Sequence, residues 1–174
     1  VNDFNTGTNH GCGYFQVTVK NGLRCSASVG YLRPIKNRKN LKIETNAHVK
    51  NIEFEKKKAI GLSFWKGNQL IKVRAKKEVI LSAGSIGSPH ILQVSGIGDS
   101  TKLNKHGINI ICNLRGVGKN LQDHIMMRPV YKVKNINTLN KKINSLVGKM
   151  LIGMEYIFFR KGPMTMGASQ LCGF

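Results

Sequence analysis

A cluster of small residues follows an apolar run, and it is the part of the sequence best suited to hold a ligand. Residues 79–81 are apolar, and Ser82, Ala83, Gly84 and Ser85 come directly after them. Since these side chains are small, a ligand could press against the main chain at this turn. A helix is predicted next, and its first N–H groups lack intrahelical acceptors, so they can bind polar atoms. α/β proteins use this layout to bring backbone against a nucleotide, although plain strand–turn–helix packing explains the same residues.

Asp123 and His124 form a second candidate pair, because an acid beside an imidazole could transfer a proton. Side chains adjacent in sequence usually point in different directions, however, so adjacency is poor support for cooperation. We therefore predict that His124 is not a general base. The four cysteines and five histidines lack the spacings of zinc sites or of paired ligands on one helix face, so we expect no bound metal.

The chain carries a large positive charge, with 28 Lys and Arg residues against 8 Asp and Glu residues and a net charge of +20. Such a charge raises nucleic acid as a partner. The basic residues are scattered, however, and most fall in turns or alternate with apolar residues along strands. No aromatic residues are interleaved with them, and no nucleic-acid-binding module is recognisable. We therefore expect no specific nucleic-acid binding, while a basic nucleic-acid-binding module stays open as an alternative.

Three apolar alternations predict an antiparallel meander with one apolar face. The alternating residues are Ile52 and Phe54, then Ile60, Leu62 and Phe64, and finally Ile71, Val73 and Ala75. Turns at residues 56–58 and 66–68 separate these runs. The pattern then changes, because residues 78–82 are mostly apolar without alternation, which favours a strand covered on both faces.

The small-residue turn leads into a predicted helix. Ser88 is its expected N-cap, Pro89 its first residue and Gly96 its end. A further amphipathic helix is predicted over residues 146–159, whose apolar side chains recur at helical spacing. We expect that helix to pack in a core, although peripheral membrane attachment through its apolar face stays open. No stretch reaches the roughly 18 uninterrupted apolar residues of a membrane-spanning helix.

The segment that begins at Gly84 resembles the signature of the glucose–methanol–choline (GMC) flavin oxidoreductases. Every defined position of that signature is filled, by Gly84-Ser85, Ser88-Pro89, Ile91-Leu92 and Ser95-Gly96-Ile97-Gly98. Residues 21–34, 38–49 and 116–124 resemble further segments of the family, in the same order along the chain. The chain is therefore identified as a member of this family.

The resemblance implies an α/β fold that is α+β in part. Residues 1–125 would form the middle portion of an FAD-binding Rossmann-like domain that includes the antiparallel meander, with residues 1–24 assigned either to it or to the substrate domain. Residues 126–174 would begin the substrate-binding domain. The GxGxxG turn with which this family binds the FAD pyrophosphate is absent, so we expect an internal fragment.

The resemblance also assigns cofactor contacts. In family members the valine that matches Val49 holds the adenine edge through its backbone, and the residues that match Ala83 and Gly84 lie beside the adenosine half of FAD. We therefore predict that Val49, Ser82, Ala83 and Gly84 bind FAD. The family's catalytic histidine lies near its C-terminus, so no catalytic residue is predicted within this chain.

By the same resemblance, the complete enzyme oxidises an alcohol, such as choline, by hydride transfer to flavin N5. It then passes the electrons to a quinone-like acceptor or to oxygen. The chain by itself is expected to be inactive. A cytoplasmic location is expected, with peripheral association with the inner membrane left open. A non-catalytic flavin-fold relative remains the other alternative.

Overall fold

The computed structural model describes residues 2–7, 10–167 and 170–173. The chain divides into two compact units, one of Ile43–Arg128 and one that joins Val1–Lys42 to Pro129–Phe174. The assignment of cofactor and substrate roles to domains that meet near residue 125 stays a prediction.

Short strands and helices alternate along the described residues. The strands are β1 (Cys12–Tyr14), β2 (Val19–Lys20), β3 (Leu23–Arg24), β4 (Ala47–Glu55), β5 (Lys58–Lys66), β6 (Gln69–Arg74), β7 (Ile97–Gly98), β8 (Cys112–Asn113) and β9 (Leu171–Gly173). The α-helices are α1 (Gly84–Val94), α2 (Ser100–Lys105), α3 (Leu139–Ile143) and α4 (Leu146–Phe159), and shorter helical turns span Ser28–Leu32, Arg33–Ile35 and Pro163–Thr165.

The predicted meander is confirmed in the unit of Ile43–Arg128. Strands β4, β5 and β6 form one antiparallel sheet in that order. The turns between them use positive backbone angles, with φ of 55° at Lys56 and 58° at Gly67. Strand alternation turns Ile52 and Phe64 inward, where each is 6% exposed. Together with Leu103 of α2, these side chains form the core of this unit.

Helix α1 is fastened to the meander by a serine at its C-terminal end. The Ser95 hydroxyl accepts a hydrogen bond from the Ile52 N–H at 2.8 Å and donates to the Ile91 carbonyl at 2.5 Å. Gly96, with φ of 87°, ends the helix as predicted. A Cβ atom there would collide with the Asn109 carbonyl, because the chain that leads to β8 returns alongside β7.

Two predictions about the start of this region are wrong. Helix α1 begins at Gly84 rather than at Ser88, and Pro89 lies inside it. The reason is that the Ser88 hydroxyl accepts a hydrogen bond from the preceding Ala83 N–H, at 3.0 Å, instead of capping a later turn. Residues 78–82 form no strand, because no strand within the described chain lies alongside them to pair with their backbone groups.

The other unit is built from two pairs of short strands and from helices, and no large apolar side chain among its described residues is buried. Strand β1 pairs with β9, and β2 pairs with β3 across a turn at Asn21 and Gly22, whose φ angles are 53° and 69°. Helix α4 has the predicted bounds. Its predicted core packing is not formed among the described residues, since Leu146 is 84% exposed and Phe158 is 73% exposed. No helix in the described residues is long and apolar enough to cross a membrane.

Candidate functional site

The small-residue turn lies at the entrance to α1 and is open to solvent. Ser82, Ala83 and Gly84 are all exposed. Gly84 has φ of 82°, and a Cβ atom added to it would meet no heavy atom within 4 Å. The main chain here is therefore free to be approached by another molecule, as the sequence predicted.

The electrostatics of this turn follow from its place at a helix start. The first N–H groups of α1 point away from the helix body, and their partial positive charge favours electron-rich partners. The N–H of Ala83 is already occupied by the Ser88 hydroxyl. Polar atoms of a ligand would therefore meet the N–H groups that follow Ala83, where glycine offers no side chain to obstruct them.

Val49 lies in β4 and is half-buried. It is paired with Phe64 of β5, and the register shifts between Val49 and Asn51, so Lys50 forms a bulge. Bulges re-aim backbone groups at the edges of sheets. The opposite edge of β4 carries no strand within the described residues. On that edge the Ile52 N–H donates to the Ser95 hydroxyl.

The structure does not join Val49 directly to the small-residue turn. Strand β4 is anchored to the C-terminal end of α1, through Ser95, whereas Ser82, Ala83 and Gly84 lie at the other end of that helix. Helix α1 spans about 16 Å between these two ends, at 1.5 Å per residue.

A cleft of about 510 Å³ opens beside the small-residue turn. One wall is a face of α1, and the other is a loop of residues 116–122, here called the glycine loop. The lining residues are Ser85, Ile86, Pro89, His90, Gln93, Gly118, Lys119, Asn120, Leu121 and Gln122. Sequence analysis missed this cleft, because only the family resemblance of residues 116–124 hinted that the loop belongs with α1.

Gln93 connects the two walls of the cleft. Its side-chain Nε2 donates a hydrogen bond to the Val117 carbonyl at 3.1 Å, across 24 residues of sequence. Lys119 lies farther along the loop, with its Nζ 3.9 Å from Oδ2 of Asp99. The role of Gln93 could not be read from its type, since a glutamine in an apolar helix pattern is usually exposed.

Asp99 is the N-cap of α2. The Thr101 hydroxyl donates to Oδ1 at 2.5 Å and the Thr101 N–H at 3.0 Å. The hydroxyl bond is the main cause that lowers the pKa of Asp99 below its ordinary value, and the backbone bond, Lys119 and Arg115 act in the same direction. The carboxylate is therefore charged at neutral pH and available to the Lys119 ammonium.

Asp123 and His124 are not arranged as a proton-transfer pair in this structure. Oδ1 of Asp123 accepts a hydrogen bond from the backbone N–H of His124, at 2.8 Å, rather than from its imidazole. Both residues are exposed. Across the described residues, no group of three or more His, Cys, Asp and Glu side chains could hold a metal ion.

Comparison with known proteins identifies the family. Residues 1–126 match the family model of the GMC oxidoreductases. The chain belongs to the GMC oxidoreductase family. The predicted membership is thereby confirmed. The small-residue turn, the meander and the cleft all lie within residues 1–126, which the family model matches.

Two curated GMC relatives match nearly the whole chain. It is 42% identical over 174 residues to an oxygen-dependent choline dehydrogenase of Vibrio vulnificus (strain YJ016), covering 100% of this chain and 31% of that protein. It is 37% identical over 175 residues to an alcohol dehydrogenase [acceptor] of Pseudomonas putida, covering 99% of this chain and 32% of that protein. The chain spans about a third of the length of the curated relatives it matches.

A solved structure shares the fold. An FAD-dependent oxidoreductase from Chaetomium thermophilum, in complex with a small-molecule fragment, superposes with a TM-score of 0.83 at 28% identity. The match covers 95% of this chain and 30% of that one. The predicted fold class is confirmed: the chain is a mixed α/β structure with an antiparallel meander, and it shares its fold with an FAD-dependent oxidoreductase.

Proposed function

We propose that this chain is the middle section of an FAD-dependent GMC enzyme that oxidises an alcohol. Family membership supports the reaction class, acting on a CH–OH donor. The names of the two relatives, a choline dehydrogenase and an alcohol dehydrogenase, support an alcohol as the substrate. The alternatives of a non-catalytic flavin-fold relative and of a basic nucleic-acid-binding module are not favoured, because the relatives are named as oxidoreductases.

The open main chain at Gly84 is the observation that carries the cofactor proposal. Its bare backbone, at the start of α1 and beside a cleft of about 510 Å³, fits the sugar or ring of a nucleotide. In the proposal, Ser82, Ala83 and Gly84 hold the adenosine half of FAD, and the backbone of Val49 holds the adenine edge. When bound, FAD supplies the acceptor for the hydride that leaves the alcohol.

The residues of this chain bind and orient in this proposal, and they do not catalyse. Asp123 is engaged with backbone and His124 is exposed. The base that takes the hydroxyl proton therefore belongs to a histidine C-terminal to this chain, as the family resemblance implies. The chain by itself is expected to lack alcohol oxidation.

The electron acceptor and the location are also proposals. One relative is named oxygen-dependent and the other is named for an unspecified acceptor, so oxygen and a quinone-like molecule are both supported. We place the enzyme in the cytoplasm, with peripheral association with the inner membrane as the finer proposal. Alcohol oxidation by the complete protein, measured first with oxygen and then with a soluble quinone as the acceptor, distinguishes the two proposed electron acceptors.

Substitution of Gly84 tests the cofactor proposal most directly. In the complete protein, Gly84→Leu fills the open space against which the cofactor is proposed to lie, and FAD affinity is expected to fall by about tenfold or more, equivalent to about 1.4 kcal/mol. Titration of the apoprotein with FAD, followed by quenching of flavin fluorescence, measures this.

Gly67→Leu is the matched control. Gly67 also has a positive φ, of 58°, and also faces open space, but it lies in the hairpin between β5 and β6. Both substitutions place a leucine side chain at a positive φ. Equal loss of FAD affinity in the two variants, or an unchanged affinity in Gly84→Leu, would contradict the proposal.

A further inference from the structure

The two walls of the cleft are α1 and the glycine loop, which are distant in sequence. The side chain of Gln93 forms a hydrogen bond between them. Gln93 projects from α1 and donates from Nε2 to the Val117 carbonyl at 3.1 Å. The bond is partly buried. A partly buried hydrogen bond between an amide and a carbonyl is shielded from competing water, so it holds the loop at a defined distance from the helix.

Gly118 shows how close that approach is. A Cβ atom at this position would lie 2.6 Å from Nε2 of Gln93 and 3.9 Å from Cβ of Pro89. Gly118 also has φ of 76°, a backbone angle that favours glycine. The amide of Gln93 therefore occupies the space that any other residue at 118 would need, and the two residues form a matched pair.

The other polar interactions of the glycine loop either stay within the loop or are weaker than the Gln93–Val117 hydrogen bond. The loop has its own turn bonds, from Val117 N–H to the Leu114 carbonyl at 3.2 Å and from Lys119 N–H to the Gly116 carbonyl at 3.1 Å, but these do not reach α1. The Lys119–Asp99 pair is 3.9 Å long with the lysine side chain 47% exposed. Exposed pairs of this kind contribute little. Gln93 is thus the main polar link between loop and helix.

We propose that Gln93 is a positioning residue for the cofactor cleft. By holding Val117 and Gly118 against α1, it preforms the wall made by Lys119, Asn120, Leu121 and Gln122 before a ligand arrives. A preformed wall lowers the cost of ordering the loop on binding and so raises affinity. This inference rests on the proposed function and adds that FAD extends from the turn at Gly84 into the cleft, which Ser85 and Ile86 of α1 line.

The competing explanation is that Gln93 only stabilises the fold. A purely structural residue changes the stability of the apoprotein and leaves the affinity of the folded protein for FAD unchanged. A positioning residue changes FAD affinity, and its effect depends on Gly118. The two explanations therefore differ in what a titration of folded protein measures.

The experiment is a double-mutant cycle in the complete protein, with Gln93→Ala, Gly118→Ala and the double variant. FAD affinity of the folded apoprotein and its thermal unfolding are both recorded. Gln93→Ala is expected to weaken FAD binding by about fivefold to tenfold, the effect of one lost hydrogen bond. Gly118→Ala is expected to weaken it by about tenfold alone and by clearly less when Gln93 is alanine, because the clash with Nε2 is then gone.

A glutamine far from the cleft provides the control. Gln69→Ala removes an exposed glutamine from the start of β6, and its FAD affinity is expected to equal that of the wild type. Should Gln93→Ala fail to fold, Gln93→Met keeps the volume of the side chain and removes only the donor, and it serves in its place.

Each outcome has a defined meaning. Equal FAD affinity of folded wild type and folded Gln93 variants, or strictly additive effects at 93 and 118, would overturn the positioning role while leaving the proposed function intact. Failure of the wild-type protein itself to bind FAD would remove the proposed function, and this inference with it. FAD binding that is weaker in the Gln93 variants, with non-additive effects at residues 93 and 118, supports both the proposed function and the positioning role of Gln93.

Discussion

The two units of this chain differ in how much apolar surface they bury. The unit of Ile43–Arg128 is called the closed unit, and the unit of Val1–Lys42 and Pro129–Phe174 is called the open unit. The unit of Ile43–Arg128 contains the buried large apolar side chains found in the described residues, which are Ile52, Phe64 and Leu103. The described part of the other unit contains none, and its longest helix exposes apolar side chains such as Leu146 and Phe158. A correctly predicted helix therefore does not guarantee a core, because burial depends on what lies opposite it.

The difference also separates the roles proposed for the two units. The closed unit carries the small-residue turn, the cleft and the Gln93 link, so its candidate site rests on a packed support. The open unit offers a helix that is apolar on most sides, and such a helix is normally covered by protein. The two units therefore differ in support, because the closed unit has a small buried apolar core and the described residues of the open unit have none.

The largest expected effect comes from the core of the closed unit. Phe64→Ala removes a side chain that is 6% exposed, and should lower the free energy of unfolding by about 3–5 kcal/mol through lost burial and a cavity. Urea unfolding of the 174-residue chain, followed by fluorescence of its one tryptophan, Trp65 in β5, measures this unit.

Phe158→Ala is the counterpart in the open unit. Its ring is largely exposed, so its removal is expected to change the unfolding free energy by no more than about 0.5 kcal/mol. Urea unfolding followed by far-ultraviolet circular dichroism, which detects helix α4, measures this change. A loss comparable to that of Phe64→Ala would show that α4 is packed within this chain, and the contrast between the units would fail.

Ser95→Ala should have a smaller effect in the same closed unit. The substitution leaves the Ile52 N–H without its acceptor in a buried position, at a cost of about 1–3 kcal/mol. The midpoint of urea unfolding, read from Trp65, reports the loss. Ser100→Ala, at the half-buried start of α2, is the control, and an equal effect of the two would argue against the Ser95 anchor.

The smallest expected effect is a pH dependence centred on Asp99. Its pKa is lowered in the folded state, chiefly by the Thr101 hydroxyl, so its stabilising contribution is present above the unfolded pKa of about 3.9. The contribution is lost as pH falls through the lower, folded pKa. Asp99→Asn is therefore expected to be less stable than the wild type at pH 7, with the difference shrinking below pH 4.

Asp3 supplies the comparison in the open unit. Its pKa is also lowered, first by the hydrogen bond from the Asn5 N–H. Because Trp65 lies in the other unit, Asp3→Asn should leave the transition that Trp65 reports unchanged at every pH. A shared pH response of both variants would mean that the units unfold together.

Much of the closed unit could be predicted from local pattern. The three strands of the meander follow from their alternating residues, and Gly96 ends α1 because its positive φ suits glycine. The predicted single apolar face is wrong, because Ser63 of β5 is 1% exposed while Val73 of β6 is 49% exposed. The small side chains of Ala83, Gly84 and Ser85 predict a turn whose main chain a ligand could approach, although plain packing explains the same residues. These features depend on near neighbours in sequence, which is why the sequence sufficed.

The remainder depends on distant partners. Residues 78–82 have the apolar composition of a buried strand, but strand formation also needs a neighbour, and none lies within the described chain. The Gln93–Val117 bond joins residues 24 apart, and no local pattern marks it. Ser88 was a reasonable N-cap by type, yet its hydroxyl turned back to Ala83. The Ser88 hydroxyl binds the N–H group that lies near it in the folded chain, and the sequence does not show which group that is.

The pairing of β1 with β9 has a consequence for synthesis on the ribosome. Cys12 lies opposite Gly173, so about 160 residues must emerge before this sheet can close. The meander and α1, by contrast, come from one continuous stretch and can acquire their shape while translation is still under way. Strand β1 is thus synthesised long before its partner β9, and until then it is exposed to chaperones and proteases.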